Sequence, residues 1–137
     1  MSITVVSPKT LSDSFEGKRI YIDRRGVLGN PFELEGESNR EAVVRAFGVY
    51  LYQVYEKDAD PAEESNRLAQ KHGLAISKSW KRPTREAFVT KFTELLTLHK
   101  EQTSLELVCH CKHPEKEVAC HGDMYVRAIN YYATKEF

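Results

Sequence analysis

SLELVCHCKHPEKEVACHGDMYVRAIN, residues Ser104 to Asn130, is the stretch on which the fold turns. Its opening, SLELVCHC, is apolar and β-prone and reads as a buried strand, whereas the run that starts at Cys120 reads as a final helix. Together they form a strand-loop-helix unit. Open α/β sheets bind their ligands beyond the carboxyl ends of such strands, where loops meet helix N-termini. The same stretch holds all three cysteines and three of the five histidines of the chain, so it poses a choice between a metal site and a ligand site.

Working outward, SITVV and KRIYIDR near the start are short, rich in Ile, Val and Tyr, and bounded by Pro, Gly and Ser, as strands are. They are expected to pair or lie as neighbours. RGVLGNPFELEGES follows as an ordered turn in which Gly29 can adopt positive φ and Asn30, preceding Pro31, is pushed towards an extended conformation. Ser38 and Glu41 have the spacing of a capping box, and Val43, Phe47, Tyr50, Leu51 and Val54 then recur at helical spacing, predicting a helix over 39–56. A short surface helix is expected around 62–71, stopped by Gly73. Thr84 reads as the N-cap of another helix, with Phe88, Phe92, Leu95, Leu96 and His99 along one face. The order predicts a single α/β domain over 1–137, a small Rossmann-like layered fold with a short, partly parallel sheet flanked by helices.

A chain of 137 residues suits one hydrophobic core. Twenty Lys and Arg balance twenty Asp and Glu, which argues against the basic field of a general nucleic-acid binder. MSITVVSPKT lacks a signal-peptide pattern and no long apolar run occurs, so neither a membrane partner nor a membrane span is expected and a cytoplasmic location is. Clustered cysteines in a reducing compartment are thiols or ligands before they are a disulfide framework.

Tyr21 to Phe32 (YIDRRGVLGNPF), Arg40 just inside the next helix, and LVCHC with Pro114 followed by CHGD together resemble the uncharacterised family named domain of unknown function 4326. That resemblance implies a compact α/β fold and a bacteriophage context, and hence a host cytoplasm, but no activity. Asp23 stands where the family usually has Gly, and His110 where an aromatic residue is common.

On the preferred reading, Cys120, His121 and Gly122 open the last helix and offer backbone N–H groups and the positive end of its dipole to a phosphate or carboxylate. His121 can donate to that anion or act as acid or base, and Asp123 can hold its ring or accept from a sugar hydroxyl, which makes both the catalytic candidates. Asp123 can equally serve only to complement the helix dipole. Arg24 and its neighbour Arg25 would grip phosphate oxygens from the facing loop, with Gly29, Asn30 and Arg40 lining the same edge. No cofactor is expected on this reading. The alternative is zinc held by Cys109, Cys111, Cys120 and His121, or with His113 replacing one of them. Thiolates suit zinc, but adjacent Cys120 and His121 diverge unless the backbone bends sharply.

Several chemistries drop out. Cys120 and Arg127 are separated by six residues, not the five of a phosphatase loop, and there is no zinc-deaminase signature, Walker loop or dinucleotide glycine fingerprint. Cys109 or Cys111 with His121 remains a possible nucleophile pair. Three functions follow: binding of, or action on, a nucleotide or nucleoside-derived phosphorylated small molecule between LGNPF and CHGD; a zinc-stabilised module directed at a host protein; and nucleic-acid binding through Trp80 and its neighbours Lys78, Lys81, Arg82 and Arg85.

Overall fold

The computed structural model describes residues 3–11, 14–22, 26–109 and 120–135. In chain order its elements are β1 (Ile3–Val6), a 3-10 turn (Pro8–Thr10), β2 (Lys18–Tyr21), α1 (Glu37–Glu56), α2 (Pro61–His72), α3 (Arg85–Lys100), β3 (Leu105–Val108) and α4 (His121–Lys135). The α/β class and the order of elements are those expected from the sequence. No helix among the described residues is long and apolar enough to cross a membrane.

The sheet differs from expectation in one respect. β1 and β2 are not neighbours: the spatial order is β1-β3-β2, and both pairings are parallel, so the three-stranded sheet is wholly rather than partly parallel. A direct parallel pairing of β1 with β2 would need a helix-sized crossover, and the described residues between them form only a 3-10 turn. β3 fills the gap and is the most buried strand, with Leu105, Leu107 and Val108 fully buried, because the central place covers it on both edges. Its one charged residue, Glu106, lies in register with Arg19 of β2 and accepts from Arg19 Nε at 2.8 Å. Val6, Tyr21 and Val108 are in register at the carboxyl ends, so the strands finish flush along one edge.

The helices begin and end for identifiable reasons. α1 starts at Glu37 with Gly36 as N-cap and no side-chain cap, so Ser38 and Glu41 do not form the expected capping box. Asn39 ties the approach instead: its Oδ1 accepts from Glu35 N and its Nδ2 donates to Glu33 O. At the other end, Arg85 donates to the carbonyls of Val54 and Tyr55, answering last-turn acceptors that the helix itself cannot satisfy. α2 is capped by Asp60, whose side chain accepts from Glu63 N, has Pro61 at its first position, and stops at Gly73 in the left-handed conformation (φ 66°). Thr84 caps α3 through Ala87 N at 3.1 Å, as its sequence context predicts.

The predicted stripe of α1, Val43, Phe47, Tyr50, Leu51 and Val54, is buried. So are Phe88, Phe92, Leu95 and Leu96 of α3, whereas His99 is half-buried. Phe47 meets Tyr50 and Tyr125 at centroid separations of 5.7 and 5.2 Å, and Tyr50 meets Phe88 edge-on at 5.8 Å. Full burial of each such ring contributes about 1.5–3 kcal/mol. This aromatic core fixes α4 against α1 and α3, while the start of α4 also packs on β1.

Trp80 belongs to that core, with 3% of its surface exposed and its ring edge-on to Tyr50 at 6.3 Å. It therefore offers no free face on which a base could stack. Arg85, from the same basic group, is engaged with the α1 carbonyls and Asp58. The expectation of a nucleic-acid surface centred on Trp80 is corrected accordingly.

Candidate functional site

At the carboxyl edge the two loops singled out by the sequence are bonded to each other. Ile22 N donates to Val108 O at 3.0 Å, carrying the β2–β3 ladder one residue past β2. His121 Nε2 lies 2.8 Å from the carbonyl of Ile22, and the hydroxyl of Tyr125 donates at 2.8 Å to the carbonyl of Leu28. The first turns of α4 thus hold both the start and the middle of the loop after β2.

From Gly26 onward that loop is held by its own hydrogen bonds. Gly29 N donates to Gly26 O, Asn30 Oδ1 accepts from Phe32 N at 2.9 Å, and Ser77 N donates to Pro31 O at 2.8 Å beside an isolated Phe32–Ile76 bridge. Gly29 is not among the glycines with positive φ, contrary to expectation. The Gly26–Gly29 backbone turn is followed by one that the Asn30 side chain closes, and Phe32 then enters its bridge with Ile76. Gly29 and Asn30 are both buried.

At the start of α4, Cys120 precedes the first helical residue, His121. Asp123 N donates to Cys120 O, and the Asp123 carboxylate accepts from Cys120 N at 3.0 Å. This is the reciprocal cap in which an acidic residue in the first turn reaches back to the amide ahead of the helix. Gly122 N donates to Cys120 Sγ at 3.4 Å. These amides face their own turn rather than an open anion cradle, and a phosphate there would also meet the Asp123 carboxylate. Gly122 is buried against the sheet: a Cβ in its place would lie 2.7 Å from Val5 Cγ1 and 3.0 Å from Ile22 Cδ1.

Side chains converge beneath this cap. Cys109 Sγ and Cys120 Sγ are 3.0 Å apart, and His121 Nδ1 is 3.3 Å from the first and 4.0 Å from the second. Cys109, Cys120 and His121 are 1%, 0% and 3% exposed. The expected divergence of Cys120 and His121 does not occur, because the chain bends into α4 between them. Phe47 packs edge-on against the imidazole at 4.9 Å.

The remaining candidates lie elsewhere. Arg40, in the first turn of α1, has 13% of its side chain exposed and places Nε and Nη2 each 2.8 Å from the Glu37 carboxylate. Arg24, Arg25, His110, Cys111 and His113 fall outside the described residues. Two features carried no sequence signal: the carbonyl of Ile22 as partner of His121, since a backbone acceptor has no residue signature, and an open groove of about 670 Å³ between α1 and α4, lined by Val44, Gly48, Tyr52, Met124 and Arg127 among others.

Among the described residues, a short, wholly parallel three-stranded sheet packed with four helices defines a small α/β fold. The family model described as Domain of unknown function (DUF4326) matches residues 7–131, and the chain belongs to that family. No curated protein and no solved structure matches it.

Proposed function

We propose that this domain binds a phosphorylated small molecule of the nucleotide or nucleoside class at the carboxyl edge of the sheet, between the loop after β2 and the start of α4. The observation that supports this reading is the bond between the two loops through His121 and Ile22, at the edge where all three strands end flush. Preformed contacts at a parallel edge are the usual frame of such sites, since groups already held on the scaffold lose little entropy on binding.

The frame also divides the labour. Asn30, Cys120, His121 and Gly122 are buried and serve as the floor. Ligand contacts then fall to Arg24 and Arg25, whose guanidinium groups suit phosphate oxygens, and to Arg40 at the rim. No reaction is assigned to His121, because its two ring nitrogens face Ile22 and Cys109 inside the fold.

The test is thermal unfolding of the full chain with nucleoside monophosphates, nucleoside diphosphates and inorganic phosphate, each at millimolar concentration. A rise in Tm with a nucleotide, lost on Arg24→Glu, supports the reading. If no compound raises Tm, or if Arg24→Glu responds as the unaltered chain does, the reading fails.

A further inference from the structure

Cys109, Cys120 and His121 direct three ligand atoms, all within 4.8 Å of one another, to one point inside the fold. We propose that this point is a zinc site, with Cys109 Sγ, Cys120 Sγ and His121 Nδ1 as its three protein ligands and the fourth position taken by water or a further side chain. The inference stands apart from the nucleotide reading and uses none of the residues assigned there to touch the ligand.

The histidine carries the first part of the argument. A carbonyl accepts only from N–H, so the 2.8 Å contact with Ile22 O puts the ring proton on Nε2 and leaves the Nδ1 lone pair facing the two sulfurs. Such an outward N–H bond to a backbone carbonyl is the arrangement that fixes the tautomer and orientation of metal-ligating histidines. The sulfurs carry the second part. Tetrahedral zinc, with Zn–S of about 2.3 Å and Zn–N of about 2.0 Å, holds its ligand atoms about 3.5–3.8 Å apart. The observed separations of 3.0, 3.3 and 4.0 Å lie on both sides of that value, so side-chain adjustments are enough to seat the ion. Cys120 Sγ is further held at the start of α4 by the hydrogen bond it accepts from Gly122 N.

Charge decides between zinc and other uses of the cluster. Zinc binding displaces one proton from each thiol, giving two thiolates around a dication with no net charge, which an apolar interior tolerates far better than a lone ion. A nucleophile is excluded by access, since Cys109 and His121 are 1% and 3% exposed. A disulfide would require the sulfurs to close from 3.0 Å to about 2.05 Å. Zinc would pin the end of β3 to the start of α4.

The experiment uses the full chain, stripped with a chelator and titrated with zinc and, separately, with cobalt(II) as a spectroscopic probe. Expected are one metal per chain, release of two protons per zinc, a rise in Tm, and thiolate-to-cobalt charge-transfer absorption that shrinks in Cys109→Ser and in Cys120→Ser. His121→Gln should weaken zinc binding more than about 100-fold, beyond what loss of an outer-shell partner does. Because buried substitutions can unfold the chain, the unaltered protein alone also decides. A folded, reduced chain that takes up no zinc overturns the proposal, as does a purified mass showing a Cys109–Cys120 disulfide. Zinc retained at full affinity by all three folded variants overturns it too.

Discussion

The hydroxyl of Tyr125 donates to the carbonyl of Leu28 at 2.8 Å, a hydrogen bond between residues 97 positions apart, both fully buried. It anchors the LGNPF loop to α4 at a depth where water cannot replace it. Tyr125→Phe leaves the ring in place and strands the carbonyl, which should cost about 1–3 kcal/mol. Urea denaturation checks this as a lower midpoint at unchanged slope; a midpoint identical to the parent's would mean that the carbonyl finds another donor.

Gly122 is a packing glycine. With Val5 Cγ1 at 2.7 Å and Ile22 Cδ1 at 3.0 Å from an added Cβ, Gly122→Ala should destabilise by about 1–3 kcal/mol through overpacking. Val5→Ala removes the nearest obstruction, so the double variant should lose less than the sum of the two singles. Additive losses in the four denaturation curves would locate the strain elsewhere.

The caps give a graded series. Asp60→Ala and Thr84→Ala each remove a side chain that accepts from a first-turn amide, for about 1 kcal/mol apiece. Ser38→Ala should change stability by no more than a few tenths, about the surface background, because α1 is not capped by a side chain. Equal losses at all three positions in thermal melts would revive the capping box at Ser38.

Alkaline pH should unfold the chain through its buried phenols. Burial, with Glu56 adding a smaller push, raises Tyr132 from 10.0 to about 12, and burial likewise holds Tyr125 and Tyr50 well above the ordinary value. The folded chain therefore binds more protons than the unfolded one once pH passes 10. The stabilisation is complete below that pH and is lost as pH rises towards about 12. Tyrosinate absorbance followed together with circular dichroism should show these phenols ionising only as structure is lost. Full ionisation in a chain that keeps its native dichroism would contradict this.

Much of this was legible in the chain. Thr84 and Gly73 mark helix boundaries through local chemistry, and the stripes on α1 and α3 announce burial by periodicity alone; the Asp60-Pro61 start of α2 was passed over. Strand order was not legible, because four-residue strands contain no record of their partners; the shortness of the 7–17 link and the burial of LELV constrain it only once the sheet is seen. At the site, Cys120 and His121 look divergent as sequence neighbours and meet only because the chain turns into α4 between them. Asp123 was read as a catalytic candidate or a complement to the helix dipole, and the structure adds a capping bond from Cys120 N that neither reading named.

The central position of β3 has a consequence for how the chain is made. β1 and β2 leave the ribosome first, yet each hydrogen-bonds only to β3 within the sheet, so neither has a ladder until residue 108 has emerged. The helices between them depend on nearby residues and can form during synthesis, whereas the sheet must wait for the last quarter of the polypeptide. A nascent chain stalled before Leu105 would carry two unpaired strands, ITVV and KRIY, and its passage to safety depends on residues 105–108 arriving promptly.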